Sequence, residues 1–227
     1  MNIIDELEWR GAVNQQTDEE GLRKLVEEKK ISLYCGFDPT GDSLHIGHLF
    51  PFLMLRRFQL AGHHPVVFVG GGTGMIGDPS GRQSERQLQT LEVVQHNVDA
   101  LTAQMKKLFD FGGNSEVKMV NNYDWLGDLD VISFLRDFGK NFGFNCMLAK
   151  DIVACRLDTG ISFTEFSYLI LQSLDFFHLY PHDDFRLQIG GSDQWGNITG
   201  GFDLIRKLEG HDAKVFGLTI PLVTIEI

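Results

Sequence analysis

The chain has 227 residues, of which 43% are hydrophobic and 22% charged, enough for one sizeable α/β core and too apolar for a disordered chain. No stretch approaches the roughly 20 apolar residues of a membrane span. Met1–Arg10 carries Asp5, Glu6 and Glu8 where a signal peptide needs a basic start and an apolar centre, so a cytoplasmic protein is expected. The formal charge of −11 opposes any wrapping of nucleic acid by this chain alone. Cys35, Cys146 and Cys155 are odd in number and fit no common metal or disulfide spacing, so they read as reduced thiols.

In chain order, Thr17 or Asp18 is placed to cap a helix over about 17–29 with Leu22, Leu25 and Val26 on its apolar face. An apolar strand follows at 31–37. A helix then runs from near Gly47 to Ala61 and stops at Gly62, with Pro51 fitting only in its first turn. The β-branched run 65–69 reads as a buried parallel strand meeting the glycine loop 70–74. Helices are expected at about 84–110 and 130–139 with a strand at 117–120 between them. Another covers 162–177, capped by Ser162 or Thr164. A strand at about 185–189 leads into Gly190 and Gly191 and a helix at 193–207. Strands alternating with helices predict a doubly wound, Rossmann-like parallel sheet with its ligand site at the carboxyl ends of the strands, and a helical insertion near 120–160.

The run His45-Ile46-Gly47-His48 opens a helix about ten residues after a strand. A helix N-terminus offers free N–H groups and a favourable dipole to phosphate, and Gly47 permits close approach of a base. Four residues alone are weak evidence, but the preceding strand end strengthens them. Residues 33–48, LYCGFDPTGDSLHIGH, resemble the signature region of class I aminoacyl-tRNA synthetases, and within them the bacterial-type tyrosyl enzymes. The segments 70–81 (GGGTGMIGDPSG), 121–125 (NNYDW), 160–168 (GISFTEFSY) and 188–198 (QIGGSDQWGNI) are similar to that family's later motifs in the same order.

The resemblance implies a catalytic domain over residues 1–227 that binds L-tyrosine and ATP and forms tyrosyl-adenylate for transfer to tRNA(Tyr). It implies Tyr34 and Asp175 at the substrate hydroxyl. It assigns Asp78, Tyr168 and Gln172 to the ammonium group and places Gln188 in the same tyrosine pocket. Spacing independently puts Tyr168, Gln172 and Asp175 on one helix face, at i, i+4 and i+7. For ATP the family positions are Cys35, Gly36, Asp38, Gly47, His48, Gly191, Asp193 and Gln194. Thr40, His45, Arg82 and Arg86 are the implied catalytic residues on the phosphates; arginine stands at 82 where relatives commonly have lysine. Asn122, Asp124 and Trp125 read as packing around the pocket, and His63, His64, His178 and His182 as surface histidines. Mg²⁺ is expected to arrive with ATP, with no metal site on the protein.

The resemblance also implies a two-fold dimer through the insertion, whose Phe134, Leu135, Phe138, Phe142, Phe144 and Met147 otherwise read as internal core. Family members continue past Thr224 into a lysine-bearing second signature loop, an anticodon-binding domain and a small RNA-binding domain. This sequence instead ends Ile225-Glu226-Ile227, so weak adenylate formation is expected. The alternatives are a non-catalytic tyrosine- and nucleotide-binding remnant, or a tryptophan-specific relative disfavoured by Tyr34 and Asp175.

Overall fold

The computed structural model describes residues 2–81, 84, 86–109 and 117–223. Two short edge elements precede the core: helix α1 (Ile3–Trp9) and strand β1 (Gln15–Gln16). Helix α2 (Glu19–Glu28) starts where the Gly21 N–H donates to the Asp18 side chain, and it buries Leu22, Leu25 and Val26, the face its periodicity predicts. Strand β2 (Ser32–Phe37), helix α3 (Ile46–Leu60) and strand β3 (His64–Val69) then form a β-α-β unit, with β2 and β3 paired in parallel from Ser32 opposite His64 to Phe37 opposite Val69.

Helix α4 (Leu91–Met105) begins seven residues later than its hydrophobic pattern suggests, because Thr90 caps it by accepting from the Val93 N–H. Strand β4 (Lys118–Asn121) joins β3. The insertion follows as short helices α5 (Tyr123–Leu126), α6 (Val131–Ser133), α7 (Phe144–Leu148) and α8 (Asp151–Ala154), with a π-type turn at Phe134–Phe138 where one continuous α-helix was expected. Helix α9 (Phe163–Leu179), strand β5 (Phe185–Gly191), helix α10 (Trp195–Glu209) and strand β6 (Phe216–Ile220) complete the chain.

The sheet order is β1-β6-β5-β2-β3-β4, parallel except for the antiparallel edge pair of β1 with β6. Helices cover both faces. Leu33, Cys35 and Phe37 point into a core shared with α1 to α4, and Tyr34 points the other way, into a cluster with Phe68, Phe176 and Phe185 beneath α9 and α10. This alternation is the period-two consequence of a strand buried on both sides. The chain leaves β2 toward β3 on one side, and later returns to fill β5 on the other. The switch therefore opens a crevice at the carboxyl ends of β2 and β5, where a doubly wound sheet binds its ligand.

The insertion splits its apolar residues in two directions. Phe134, Phe142 and Met147 pack inward with Phe166, Leu169 and Ile170 of α9, whereas Val131, Ile132, Leu135 and Phe144 stay more than half exposed. No helix among the described residues is long and apolar enough to cross a membrane.

Two local readings are corrected. Pro51 lies in the second turn of α3, not the first. The carbonyl it deprives of a helical donor is that of Gly47, which lines the open crevice rather than the core. His63 is buried, with Nδ1 accepting from the Ile31 N–H (3.3 Å) and its ring edge-on to Phe58, and burial pushes its pKa down to about 4. It is a core histidine in neutral form.

Candidate active site

A cavity of about 380 Å³ occupies the switch-point crevice. All the site residues put forward from sequence line it except Arg82, which lies outside the described residues. The cavity has a closed inner end, an acidic middle and an open mouth, each built by different elements.

At the inner end, β2 supplies Tyr34, β5 supplies Gln188 at the same register, and α9 supplies Gln172 and Asp175. Tyr34, Gln188 and Asp175 are each no more than 2% exposed. Asp175 accepts from Asn122 Nδ2 (3.0 Å) on one oxygen and from Trp125 Nε1 (2.9 Å) on the other. Burial pushes its carboxyl well above the ordinary range, against the pull of those two donors. Burial, then the Asp175 charge, likewise raises the Tyr34 phenol, so its proton stays in place as a donor. Tyr34 Oη, Gln172 Oε1 and Gln188 Oε1 are buried with no hydrogen-bond partner among the described residues. Leaving a buried polar atom unmatched costs about 1–3 kcal/mol, and three such atoms in one cavity call for a polar guest.

The middle holds two hydrogen-bonded carboxylates, Asp38 and Asp78. Tyr168 Oη donates to Asp38 Oδ2 (2.8 Å), and Thr73 Oγ1 donates to Asp38 Oδ1 (2.8 Å). Gln194 Nε2 donates to Asp78 Oδ2 (2.6 Å), and the Ser80 N–H donates to Asp78 Oδ1 (2.9 Å). Burial and then the nearby Asp78 raise Asp38 to about 6. Gly70 is required here by close approach: a Cβ on it would lie 2.0 Å from Asp38 Oδ1 and 2.4 Å from Thr73 Oγ1. Asp38, put forward for the nucleotide, is hydrogen-bonded to Tyr168, put forward for the ammonium group, so the two sets of residues meet here. Four aspartates, Asp38, Asp78, Asp175 and Asp193, line one cavity, and Arg86 is its lining cation. Such a field suits a cationic group such as an ammonium.

At the mouth, α3 opens with two stacked imidazoles, 3.7 Å between centroids. The Gly47 N–H donates to His45 Nδ1 (3.1 Å), and the His45 N–H donates to His48 Nδ1 (3.2 Å), a reciprocal capping box made of histidines. The Gly47 N–H at this helix N-terminus is therefore already occupied. With Nδ1 accepting in each ring, a neutral tautomer carries its proton on Nε2, so both rings offer a donor. Burial and His45 hold His48 down to about 4, so it stays neutral. Gly47 is small because the His45 ring lies under it: a Cβ would meet Cε1 at 3.0 Å. Across the mouth, Gly191 makes room for Asp193, whose Oδ1 would lie 2.4 Å from a Cβ there. Burial and then Asp78 raise the Asp193 carboxyl. Cys35 is buried and pushed to about 12, a neutral thiol at this wall. Thr40 and Arg86 face each other's segment at the rim, and Arg86 Nε donates to the Asp78 carbonyl (3.1 Å).

Sequence reasoning missed Thr73, whose hydroxyl also accepts from Asn122 Nδ2 (3.0 Å) and so links the inner end to the acidic middle. Its signal was available: it is the one side chain with a hydroxyl inside the glycine run 70–74. Asn122 and Trp125 pack around the pocket as expected, and Trp125 also stacks on His178 at 4.3 Å.

This fold and cavity define a doubly wound α/β protein whose switch point joins a closed polar pocket to an open, histidine-capped mouth. The chain belongs to the tRNA synthetases class I (W and Y), whose family model matches residues 26–225. It is 83% identical over 223 residues to Tyrosine--tRNA ligase 2 of Bacillus cereus, covering 98% of this chain and 53% of that protein. It is 70% identical over 223 residues to Tyrosine--tRNA ligase 1 of Enterococcus faecalis, again covering 98% and 53%. Among solved structures, a C-terminally truncated mitochondrial tyrosyl-tRNA synthetase of Aspergillus nidulans superposes with a TM-score of 0.88 at 29% identity, over 99% of this chain and 70% of that one. The chain spans about half the length of the curated relatives it matches.

Proposed function

We propose that this chain binds L-tyrosine and ATP and forms tyrosyl-adenylate, the first half of the tyrosine-tRNA ligase reaction. The observation that carries this reading is the inner end of the cavity: Tyr34 Oη, Gln172 Oε1 and Gln188 Oε1 are buried without partners among the described residues, beside the carboxylate of Asp175. A substrate phenol accepts from Tyr34 and donates to Asp175, matching both groups. Its ammonium lies among Asp38, Asp78, Tyr168 and Gln172. Its carboxylate then faces the mouth, where ATP enters as its magnesium complex with ribose near Cys35, His48, Gly191, Asp193 and Gln194. Among the described residues, no cluster of His, Cys, Asp or Glu could hold a metal by itself.

The tyrosine carboxylate attacks the α-phosphate; the new O–P bond forms as the bond to the β-phosphate oxygen breaks, and pyrophosphate leaves with that electron pair. No side chain need exchange a proton. Rate comes from alignment and from donors aimed at the charge that builds on the phosphates, for which Thr40, His45, Arg82 and Arg86 are the candidates.

The test is a melting series with tyrosine, phenylalanine, tryptophan and ATP, paired with pyrophosphate exchange. Tyrosine and ATP raise Tm, phenylalanine and tryptophan do not, and exchange depends on tyrosine. Stabilisation by tryptophan rather than tyrosine overturns the reading. The pH dependence is a second arm. Because the folded-state pKa of Asp38 is raised to about 6, its contribution to the stability of the free protein is lost as pH rises from about 4 through 6. An ammonium ligand favours the ionised form, so the tyrosine-induced shift grows over the same window.

Transfer of tyrosine to the 3′ end of tRNA(Tyr), by the whole protein in the cytoplasm, belongs to the same proposal. So does a homodimer, supported by the exposed Val131, Ile132, Leu135, Phe144, Leu157 and Phe163 of the insertion and the start of α9. Sedimentation equilibrium at micromolar concentration gives a dimer for this chain and a monomer for Ile132→Asp/Leu135→Asp. A wild-type monomer would assign that surface to another partner.

A further inference from the structure

The loop that joins β2 to α3 carries Thr40 and ends at His45, yet its residues from Thr40 to Ser43 are exposed and in no regular structure. Its main chain is instead held from outside by α4 and the segment before it. Asn97, 5% exposed, donates through Nδ2 to the Pro39 carbonyl (3.0 Å). Two turns further along, Gln104 holds the loop twice: Nε2 donates to the Asp42 carbonyl (2.8 Å), and Oε1 accepts from the Leu44 N–H (3.1 Å). Gln89 Nε2 reaches the Thr40 carbonyl at 3.4 Å. Seven residues separate Asn97 from Gln104, which puts them on one side of α4, while Val94, Val98, Leu101 and Met105 anchor the helix in the core.

We propose that Asn97 and Gln104 are positioning residues for adenylate formation. A helix fixed by its buried face transmits that fixity, through side-chain amides, to an exposed loop with no regular structure of its own. Gln104 sets Asp42 and Leu44 and so the approach to His45; Asn97, supported by Gln89, sets Pro39 and so Thr40. Of this loop only Asp38 belongs to the proposed tyrosine site, and its carboxylate is held separately, by Tyr168 Oη and Thr73 Oγ1. The inference rests on the proposed function for the meaning of rate, but its structural half is measurable without turnover.

The test uses Asn97→Leu and Gln104→Leu, which keep or raise helix propensity and remove the amides. In single-turnover adenylate formation each variant loses about 10- to 100-fold in rate, the scale expected when reacting groups are misplaced by about an ångström. The dissociation constant for tyrosine stays within about twofold of wild type, since uniform binding is untouched. The Leu44 amide of Gln104→Leu exchanges with deuterium about tenfold faster. Coupling separates positioning from simple loss of structure: the Gln104→Leu penalty shrinks at least about threefold in a His45→Ala background, and the Asn97→Leu penalty does so in Thr40→Ala. Penalties that persist undiminished there, or tyrosine binding that weakens as much as the rate, overturn the proposal. Unchanged Leu44 exchange in Gln104→Leu overturns it even where no adenylate is made. A wild-type chain that binds tyrosine without forming adenylate instead overturns the functional reading.

Discussion

Tyrosine binding falls by more than about 100-fold in Asp175→Ala, whereas Tyr34→Phe weakens it only about tenfold and leaves phenylalanine affinity unchanged. The difference follows from what each group does in the free protein. Asp175 receives two donors, the buried Asn122 Nδ2 and the partly buried Trp125 Nε1, besides any from substrate. Removing it takes the acceptor proposed for the substrate hydroxyl and leaves Trp125 Nε1 unmatched, at about 1–3 kcal/mol, while Asn122 Nδ2 keeps only Thr73 Oγ1. The pocket then relaxes and its shape is lost with its chemistry. Tyr34 Oη has no partner among the described residues, so phenylalanine there removes only the contact to substrate. The ring still packs against Phe68 at 5.2 Å and Phe176 at 5.6 Å, and Tm is unchanged or higher. Isothermal titration with tyrosine and phenylalanine, alongside a melting curve, checks both variants. Equal losses of tyrosine and phenylalanine affinity in Tyr34→Phe would show that Tyr34 does not read the hydroxyl.

Thr40→Ala and His45→Ala each lower the rate of adenylate formation by about 10²- to 10³-fold, the loss typical of one transition-state donor, with tyrosine affinity unchanged. His45 also carries a structural role, because its Nδ1 accepts from the Gly47 N–H at the start of α3. Loss of that cap costs about 0.5–2 kcal/mol, so His45→Ala lowers Tm as well as rate. Asparagine is a good cap but cannot reach as far. His45→Asn therefore restores Tm without restoring rate, which separates the two roles in one measurement pair. Thr40 is exposed, and its alanine variant leaves Tm unchanged. Rate recovery in His45→Asn would reduce His45 to a helix cap.

The acidic middle of the cavity gives these variants a common frame. Asp38 and Asp78 there, with Asp175 at the inner end and Asp193 at the mouth, share one cavity, an arrangement that costs stability in the free protein through burial and repulsion. A ligand with one ammonium relieves it. That relief is available to any amino acid, so on the proposed reading the carboxylates of the middle supply affinity, while Tyr34 and Asp175 supply the choice among side chains.

Much of the fold is legible in the order of residues. Runs of apolar residues mark β2, β3 and β5, helical spacing marks α9, and the capping residues Asp18 and Ser162 mark starts that the structure keeps. Tyr168, Gln172 and Asp175 can be placed together by arithmetic alone, since a helix repeats every 3.6 residues. Local signals mislead where a partner distant in sequence decides the outcome. Residues 84–90 carry nothing that forbids a helix, yet α4 starts at Leu91, and Gln89 Nε2 instead reaches the Thr40 carbonyl, 49 positions away. His63 has an unremarkable surface context in sequence, and only the fold buries it beside Phe58 and Ile31.

Strand and helix types, the three polar residues sharing a face of α9, and membership of the synthetase family are all carried by periodicity and long motifs, which are properties of neighbours along the chain. Other features needed the folded molecule: Asp38 keeps company with Tyr168, 130 positions away, Asn122 and Trp125 grip Asp175, and α4 holds the loop of Thr40. Those contacts depend on which strands become adjacent, a choice made by packing of the whole sheet and encoded in no single segment.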